Sequence, residues 1–333
     1  MSSMIKIDTR LDEIHHWLKT IFPSVHYRLE IASNDASFRR YFRLTIKTNT
    51  WILMDAPPQQ EDTIPFIEIG TFLYDHGINV PKLYERDIDA GFLLLTDFGY
   101  RPYLEELNSI NEIAADSLYK AAIDSLIKIQ LCPAQNIDIP IYDKALLQQE
   151  MTLFPNWFLN KHLNISTPEF LPTTFNHLIS NALAQPYVIV HRDYHSRNLM
   201  HTVDNSPGII DFQDAVIGPI SYDLVSLLRD CYITWPEHKI NEWIEYYLLT
   251  AQQQGLLEGI SLAQFTRWFD LMGLQRHIKV LGIFCRLNYR DGKTNYMNDL
   301  PLTLAYVRRI SAKYADFAQL NVFLHQQPQI VAI

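Results

Sequence analysis

The chain has 333 residues, of which 48% are hydrophobic and 20% are charged, as in ordinary folded globular proteins. Its 28 basic and 37 acidic residues give a net charge of −9, which argues against general nucleic-acid binding because such binding needs a basic surface. Three widely spaced cysteines, Cys132, Cys231 and Cys285, indicate neither a disulfide framework nor a zinc site. No apolar run approaches the roughly 18 residues that span a bilayer, so we expect a soluble, cytoplasmic protein with no membrane partner.

The part of the chain before residue 98 is predicted to be rich in β-strands. Short runs of β-branched and aromatic residues, bounded by Asn, Asp, Pro or Gly, are typical of strands. Five such runs cover residues 28–32, 38–46, 51–55, 82–85 and 92–96. One helix is predicted over residues 63–75, where apolar residues recur at helical spacing and Gly77 follows as a stop signal.

The second predicted strand carries three arginines, Arg39, Arg40 and Arg43. Alternate residues of a strand face the same side of a sheet, so Arg40 shares the side of Phe42 and Leu44, which we take as the core face. We therefore expect Arg39 and Arg43 on the solvent-exposed face.

The rest of the chain is predicted to be mainly helical, with no repeats or low-complexity tracts. Helical patterns cover residues 113–131, 144–153, 173–183, 240–254, 262–290 and 301–317. Strands followed by a long helical region predict an α+β protein.

A cluster of polar residues interrupts this helical region. The apolar run 187–190 predicts a buried strand that leads into His191-Arg192-Asp193-Tyr194-His195-Ser196-Arg197-Asn198. Two further strands, 199–202 and 209–212, flank the turn residues 204–208 and predict a hairpin. In a hairpin, the residue numbers of two facing residues add up to a constant, which we expect to be about 411 here. Asn198 then lies opposite roughly position 213, and Asp211 lies within about two residues of that position.

These polar residues form the set that phosphoryl transfer requires. That reaction depends on a carboxylate that orients the attacking hydroxyl and on oxygen ligands that hold Mg²⁺. Asp193 is predicted to orient the hydroxyl, and Asn198 and Asp211 to hold Mg²⁺, which takes few protein ligands and keeps several waters. His191 is interpreted as a structural histidine, and Asp223 as an N-cap that braces the loop.

At these residues the sequence resembles the aminoglycoside phosphotransferase and choline kinase superfamily, whose catalytic loop reads His-x-Asp-x4-Asn and is followed by Ile-Asp-Phe. The resemblance assigns the same three roles and implies ATP and Mg²⁺ as cofactors. It also implies a two-lobed protein-kinase-like fold, with a small antiparallel sheet and one helix in the N-terminal lobe. That nucleotide-binding lobe would cover 1–97, with a hinge at about 94–99, and the helical lobe with the catalytic loop and substrate site would cover 98–333.

Residues 35–43, 54–58 and 211–215, together with Gly218 and Pro219, resemble one branch of that superfamily more closely. This branch is the bacterial anomeric sugar kinases, which phosphorylate N-acetylmuramate and N-acetylglucosamine at C1 in cell-wall recycling. The likeness runs from about Ser33 to Arg229 and implies a small amino sugar as the acceptor, while the later helices carry no recognisable motif.

The resemblance also suggests contacts with the nucleotide. Residues 33–37 lie where kinases place a phosphate-covering loop, and Ser33 and Ser37 are expected to contribute hydroxyls there although no glycine is present. Arg40 is the first choice for a further phosphate contact. Backbone groups of the hinge are expected to bind adenine, and the residues concerned are Leu94, Leu95, Thr96 and Asp97.

One position departs from the superfamily pattern, and the role of one residue in the catalytic loop stays open. Most kinases carry a lysine in the third strand, and here either Met54 or Asp55 occupies its place. Arg197, inside the catalytic loop, is a candidate catalytic residue: it stabilises transition-state charge, meets a substrate carboxylate or has a structural role. The sequence does not choose among these, and it gives no contact for His195 or Asp214.

Three alternative functions remain open from the sequence. An aminoglycoside or other amino-alcohol kinase would need an acidic pocket, whereas N-acetylmuramate favours a basic group near Asp193. A protein kinase is disfavoured because few residues separate Asp211 from Asp223, which leaves little room for an activation segment. A non-catalytic nucleotide-binding pseudokinase is suggested by the missing lysine and glycines but opposed by the intact catalytic set.

Overall fold

The computed structural model describes residues 8–34 and 38–333, and the chain divides into two compact units. The first unit contains the residues up to Tyr74 and Val80–Gly99, and the second contains Asp75–Asn79 and Tyr100–Ile333. Ser37 and the side chain of Ser33 lie outside the described part of the chain, so the phosphate contacts expected of them stay predictions. The nucleotide-binding role of the N-terminal residues and the hinge at about 94–99 also stay predictions.

The first unit is built on a five-stranded antiparallel sheet of order β1-β2-β3-β5-β4. Its strands are β1 Arg28–Asn34, β2 Arg40–Ile46, β3 Asn49–Asp55, β4 Leu83–Asp87 and β5 Phe92–Thr96. Its helices are α1 Thr9–Ile21 and α2 Ile64–Asp75. The last residue of α2, Asp75, is the first residue of the second unit. The predicted strands are confirmed, but the expectation of a single helix was wrong because α1 is present.

Helix α1 forms because a cap and an apolar stripe act together. The Asp8 carboxylate accepts a hydrogen bond from the N–H of Leu11 and so caps the first turn. Ile14, Trp17 and Leu18 recur at helical spacing and pack against one face of the sheet, which contributes Phe42, Leu44, Leu53, Phe92 and Leu94 to the same core. Fully burying each large apolar side chain contributes about 1.5–3 kcal/mol, which fixes the helix on the sheet.

The second unit is mainly helical, as predicted. Its helices are α3 Tyr103–Ser109, α4 Glu112–Leu131, α5 Lys144–Met151, α6 Leu171–Leu183, α7 Tyr222–Leu228, α8 Glu237–Gln253, α9 Leu262–Asp291, α10 Leu300–Lys313, α11 Ala318–Gln326 and α12 Pro328–Val331. A π-helix covers Phe154–His162, and 3-10 turns cover Ala134–Asn136, Thr294–Asp299 and Ala315–Phe317. Two small antiparallel pairs complete the unit, β6 Tyr187–Val190 with β9 Val216–Pro219, and β7 Leu199–Met200 with β8 Gly208–Ile209.

The 30-residue helix α9 is largely buried. It packs closely against the segment before the π-helix at Gly282. A Cβ atom added at Gly282 would lie 2.3 Å from the backbone carbon of Leu153, so only glycine allows this close approach. In the described ranges, no helix is both long enough and apolar enough to cross a bilayer.

Candidate active site

The catalytic loop begins where β6 ends, and a buried carboxylate holds its first two residues. The N–H groups of His191 and Arg192 donate to the two oxygens of Asp223, at 2.6 and 2.9 Å. Burial raises the pKa of this carboxyl to about 6. The predicted brace is confirmed, but Asp223 is not the N-cap, because α7 begins at Tyr222 and Ser221 occupies the cap position.

His191 has the structural role that the sequence predicted. Its side chain is buried, its Nε2 lies 3.0 Å from the carbonyl oxygen of Ile210, and its Nδ1 accepts from the N–H of Asp193 at 3.3 Å. Both ring nitrogens therefore have partners, and the imidazole joins the catalytic loop to the residue that follows β8.

Asp193, which is predicted to orient the hydroxyl, and the predicted metal ligands Asn198 and Asp211 are joined by hydrogen bonds from one amide group. The Nδ2 of Asn198 donates to the main-chain oxygen of Asp193 at 3.0 Å and to Oδ2 of Asp211 at 3.2 Å. Gln213 donates from Nε2 to the other Asp211 oxygen at 2.8 Å. All three predicted residues are half-buried, so each retains an exposed fraction.

The predicted register of the hairpin was wrong by three positions. Leu199 pairs with Ile209 and Met200 with Gly208, so paired positions sum to 408. Pro207 has no N–H to donate to a ladder, and regular pairing therefore stops at Gly208, beyond a wider turn than expected. Asn198 consequently lies opposite position 210, whose N–H donates to the Asn198 carbonyl at 3.1 Å, and Asp211 is the next residue.

Asn198 and Asp211 have the chemistry that a magnesium site needs. The Nδ2 group of Asn198 is engaged as a donor, which leaves its Oδ1 as the ligand atom, and the Asp211 carboxylate supplies oxygens of the kind that Mg²⁺ prefers. Asp211 adopts a left-handed φ of 67°, an uncommon conformation that aspartate tolerates better than most residues. The pair fits Mg²⁺, although the metal role stays a prediction.

Positive charge surrounds the carboxylate of Asp193. Burial alone would raise its pKa, but His195, Lys279 and Arg276 hold that pKa below its usual value. Burial lowers the pKa of His195 itself, so Lys279 and Arg276 are the charges that remain at neutral pH. Asp193 is therefore ionised at neutral pH and can accept a hydrogen bond from an attacking hydroxyl. This is the state that a hydroxyl-orienting residue needs.

Two of those cations come from α9 and were missed by sequence reasoning. Lys279 lies 3.0 Å from a Glu150 oxygen and donates to the Tyr222 hydroxyl at 3.0 Å. Arg276 is 4% exposed and donates to Cys231 Sγ at 3.6 Å. The available signal was the presence of two cations, three residues apart, in a long helix whose flanking residues are mostly apolar.

Glu150 links this cationic group to the backbone of the catalytic loop. It forms ion pairs with both Lys279 and Arg192, and it accepts a hydrogen bond from the Tyr142 hydroxyl. Arg192 has a left-handed φ of 76°, which a residue with a side chain rarely adopts. The ion pair with Glu150 and the Asp223 contact together stabilise that conformation.

The remaining loop residues occupy distinct environments. His195 is buried, with its ring against that of Tyr232 at a centroid distance of 5.3 Å, whereas Asp214 is exposed. The Arg197 guanidinium lies 3.5 Å above the Tyr232 ring and 3.8 Å from Asp299. Arg197 therefore points to an aromatic surface, and the catalytic role considered for it stays a prediction.

In the first unit, Arg40 is held by acidic residues. It donates to Asp55 from Nε at 2.8 Å and from Nη2 at 2.6 Å, and to Asp8 from Nη1 at 2.5 Å. Asp55 is fully buried and also binds Arg10. Met54 projects to the opposite face of β3 by strand alternation. Neither Met54 nor Asp55 supplies the cation of the missing lysine, and the phosphate contact expected of Arg40 stays a prediction.

The expectation that Arg43 is solvent-exposed was wrong. Its side chain is 7% exposed and donates to both Asp97 oxygens, at 2.6 and 2.9 Å, and to the Gly99 carbonyl at 2.7 Å. Burial would raise the pKa of Asp97, but the Arg43 guanidinium and the Gly99 N–H hold it below its usual value. Arg39 is also largely covered, and it pairs with Glu61 at 3.1 Å.

Several backbone groups of the predicted hinge already form hydrogen bonds within the sheet. Leu94 and Leu95 pair with both β3 and β4, and the Thr96 N–H donates to the carbonyl of Lys82. A residue in the middle of a sheet uses its N–H and C=O in the ladders on its two sides. The adenine contacts expected of Leu94, Leu95, Thr96 and Asp97 stay predictions, and Asp97 is the one of the four beyond the end of β5.

Comparison with known proteins agrees with this site. The sequence pattern of the phosphotransferase enzyme family matches residues 28–258, which is more than half of the chain. The chain belongs to this family.

A Pseudomonas putida protein named N-acetylmuramate/N-acetylglucosamine kinase is 42% identical over 297 residues, which cover 88% of this chain and 86% of that protein. A Pseudomonas aeruginosa protein of the same name is 38% identical over 336 residues and covers 97% of this chain and 98% of its own length. The structure of a Plasmodium vivax ethanolamine kinase aligns with a TM-score of 0.65 at 14% identity, over 90% of this chain and 88% of that one. The predicted α+β, protein-kinase-like fold is confirmed.

Proposed function

We propose that this phosphotransferase uses ATP and Mg²⁺ to phosphorylate the anomeric hydroxyl of a small amino sugar, N-acetylmuramate or N-acetylglucosamine. The observation that carries the proposal is the convergence of Asp193, Asn198 and Asp211 through the Asn198 amide. Two relatives of nearly full length, at 42% and 38% identity, carry the name of a kinase for these sugars.

In this mechanism Asp193 accepts a hydrogen bond from the sugar hydroxyl and aims its oxygen at the γ-phosphorus. The cations near Asp193 keep the carboxylate ionised, and the Asp223 brace fixes the loop that carries it. Asn198 and Asp211 would hold Mg²⁺, which neutralises phosphate charge during such transfers. Positioned acid–base catalysis of this kind contributes about 10²- to 10⁴-fold in rate.

The charges around Asp193 favour an uncharged or anionic acceptor over a polycation. Arg276 and Lys279 both lower the pKa of Asp193, so a cationic acceptor gains less from this carboxylate than from one without cationic neighbours. The aminoglycoside and amino-alcohol alternatives are therefore disfavoured. The ionised carboxylate next to two suitable metal ligands likewise disfavours a non-catalytic pseudokinase.

An acceptor screen tests the proposal. Purified protein is incubated with Mg-ATP and with N-acetylmuramate, N-acetylglucosamine, kanamycin or choline, and ADP release is measured in each case. We expect ADP release with the two amino sugars alone, and none when EDTA removes the metal. Release driven by kanamycin or choline, or by no acceptor at all, would contradict the proposal.

A further inference from the structure

A row of aromatic rings with one arginine lies next to the catalytic loop, and we call it the Arg197 cluster: Arg197, Tyr232, Phe284 and Tyr296. The Arg197 guanidinium stands 3.5 Å from the centre of the Tyr232 ring and 5.9 Å from that of Tyr296. Phe284 joins the two tyrosines, with ring centroids 6.4 Å from Tyr232 and 5.5 Å from Tyr296. Residues from four separate segments therefore form one connected cluster, in which Phe284 is buried and Arg197 is exposed.

Arg197 is accessible and incompletely paired. Its side chain is 42% exposed, and within residues 8–34 and 38–333 its ion pair is with Asp299 at 3.8 Å, which is longer than a hydrogen bond. A guanidinium carries five N–H donors in a planar fork that matches a carboxylate. Stacking on Tyr232 restricts the plane of that fork, and the His195 ring packs edge-on against the same tyrosine.

A second arginine shows what a fully paired version of this arrangement looks like. Arg267 lies 4.8 Å from the Tyr314 ring, is 46% exposed, and donates to Asp316 at 2.6 Å. Both arginine side chains are thus similarly exposed and lie over a tyrosine ring. Of the two, Arg267 is the one that donates directly to a carboxylate. Arg197 retains the capacity to bind a carboxylate from another molecule.

The loop geometry brings Arg197 near the reacting group. Four residues of extended chain span at most about 14 Å, which bounds the distance from Asp193 to Arg197. The loop is also folded back, because the His195 N–H donates to the Asp193 carbonyl at 3.0 Å and the Asn198 N–H donates to the His195 carbonyl at 2.9 Å. The backbone positions of Asp193 and Arg197 are therefore close together, and we take one acceptor to contact both side chains.

We propose that Arg197 binds the carboxylate of an acidic amino-sugar acceptor and that the tyrosines of the Arg197 cluster pack against the sugar. This inference rests on the proposed function. N-acetylmuramate is N-acetylglucosamine with a lactyl ether, and the lactyl carboxylate is the only charged group that separates them. Arg197 is then a specificity-determining residue, and Tyr232 is a positioning residue that acts through it.

The test compares kcat/KM for the two sugars in the wild type, Arg197→Gln and Arg267→Gln. The loss of a hydrogen bond to a charged group lowers binding or catalytic efficiency by roughly 10- to 100-fold. We expect Arg197→Gln to lower the ratio of N-acetylmuramate to N-acetylglucosamine efficiency by that factor. Arg267→Gln should leave the ratio within about twofold. An Arg197→Gln protein that loses efficiency equally with both sugars, or with neither, overturns the inference.

Tyr232 variants test the positioning role. Tyr232→Phe keeps the ring under the guanidinium and should keep the ratio, whereas Tyr232→Leu should lower it in the same direction as Arg197→Gln. Equal loss in both tyrosine variants overturns the positioning role. A wild-type protein that phosphorylates neither sugar refutes the proposed function itself, whereas one that phosphorylates both, with the ratio unchanged in Arg197→Gln, refutes this inference alone.

Discussion

Replacing Asp193 with asparagine removes the ionisable oxygen and keeps the size of the side chain. The contacts that shape the loop involve its backbone: Asn198 binds the Asp193 carbonyl, and Asp223 binds the N–H groups of His191 and Arg192. None of them uses the Asp193 carboxylate. The substitution should therefore keep the conformation of the loop. Because the lowered pKa of Asp193 means that its charge stabilises the fold at neutral pH, the melting temperature should fall somewhat.

The expected loss follows from the role of the carboxylate. Positioned acid–base catalysis contributes about 10²- to 10⁴-fold, which corresponds to about 2.7–5.4 kcal/mol of activation free energy at 1.36 kcal/mol per tenfold. We expect this loss in kcat, because Asp193 acts on the hydroxyl during transfer. The KM for ATP should change little.

A coupled assay of ADP release with N-acetylglucosamine measures this effect. Asp204→Asn is the matched control, since Asp204 is exposed in the turn between β7 and β8 and should leave kcat within about twofold. An Asp193→Asn protein with kcat within threefold of wild type would refute the assignment.

Three other changes test separate parts of the account. Arg276→Met removes a cation that lowers the pKa of Asp193, so the acid limb of the pH–kcat/KM profile should move to higher pH, and an unmoved limb contradicts the electrostatic argument. Asp211→Asn should raise the Mg²⁺ concentration for half-maximal activity by roughly tenfold or more; an unchanged magnesium titration contradicts the ligand assignment. Gly282→Ala should cost about 1–3 kcal/mol of unfolding free energy in urea, whereas Gly273→Ala, whose added Cβ makes ordinary contacts, serves as the control.

The catalytic loop was predictable because its information is local. Asp193, Asn198 and the brace at Asp223 follow from residue type and spacing over a short stretch of chain. The hairpin register was not predictable to the same precision, because the end of pairing depends on where Pro207 falls in the turn. The strands of the first unit were predicted well because each has a clear apolar run between turn residues.

Long-range charge pairs were the main features that the sequence did not reveal. Arg43 was expected to face solvent, but Asp97, more than fifty positions away, binds it in the folded unit. Arg276 and Lys279 carry no motif, and their effect on Asp193 depends on how α9 packs. Local pattern predicts elements, whereas the partner of a buried charge is set by tertiary packing.

The most direct test of the central claim is to locate the transferred phosphate by ³¹P and ¹H NMR after reaction of N-acetylmuramate or N-acetylglucosamine with Mg-ATP. The account predicts a sugar 1-phosphate, with the phosphorus coupled to the anomeric proton, and no such product from Asp193→Asn. A phosphate on any other hydroxyl, or ATP consumed with no sugar phosphate formed, would contradict it.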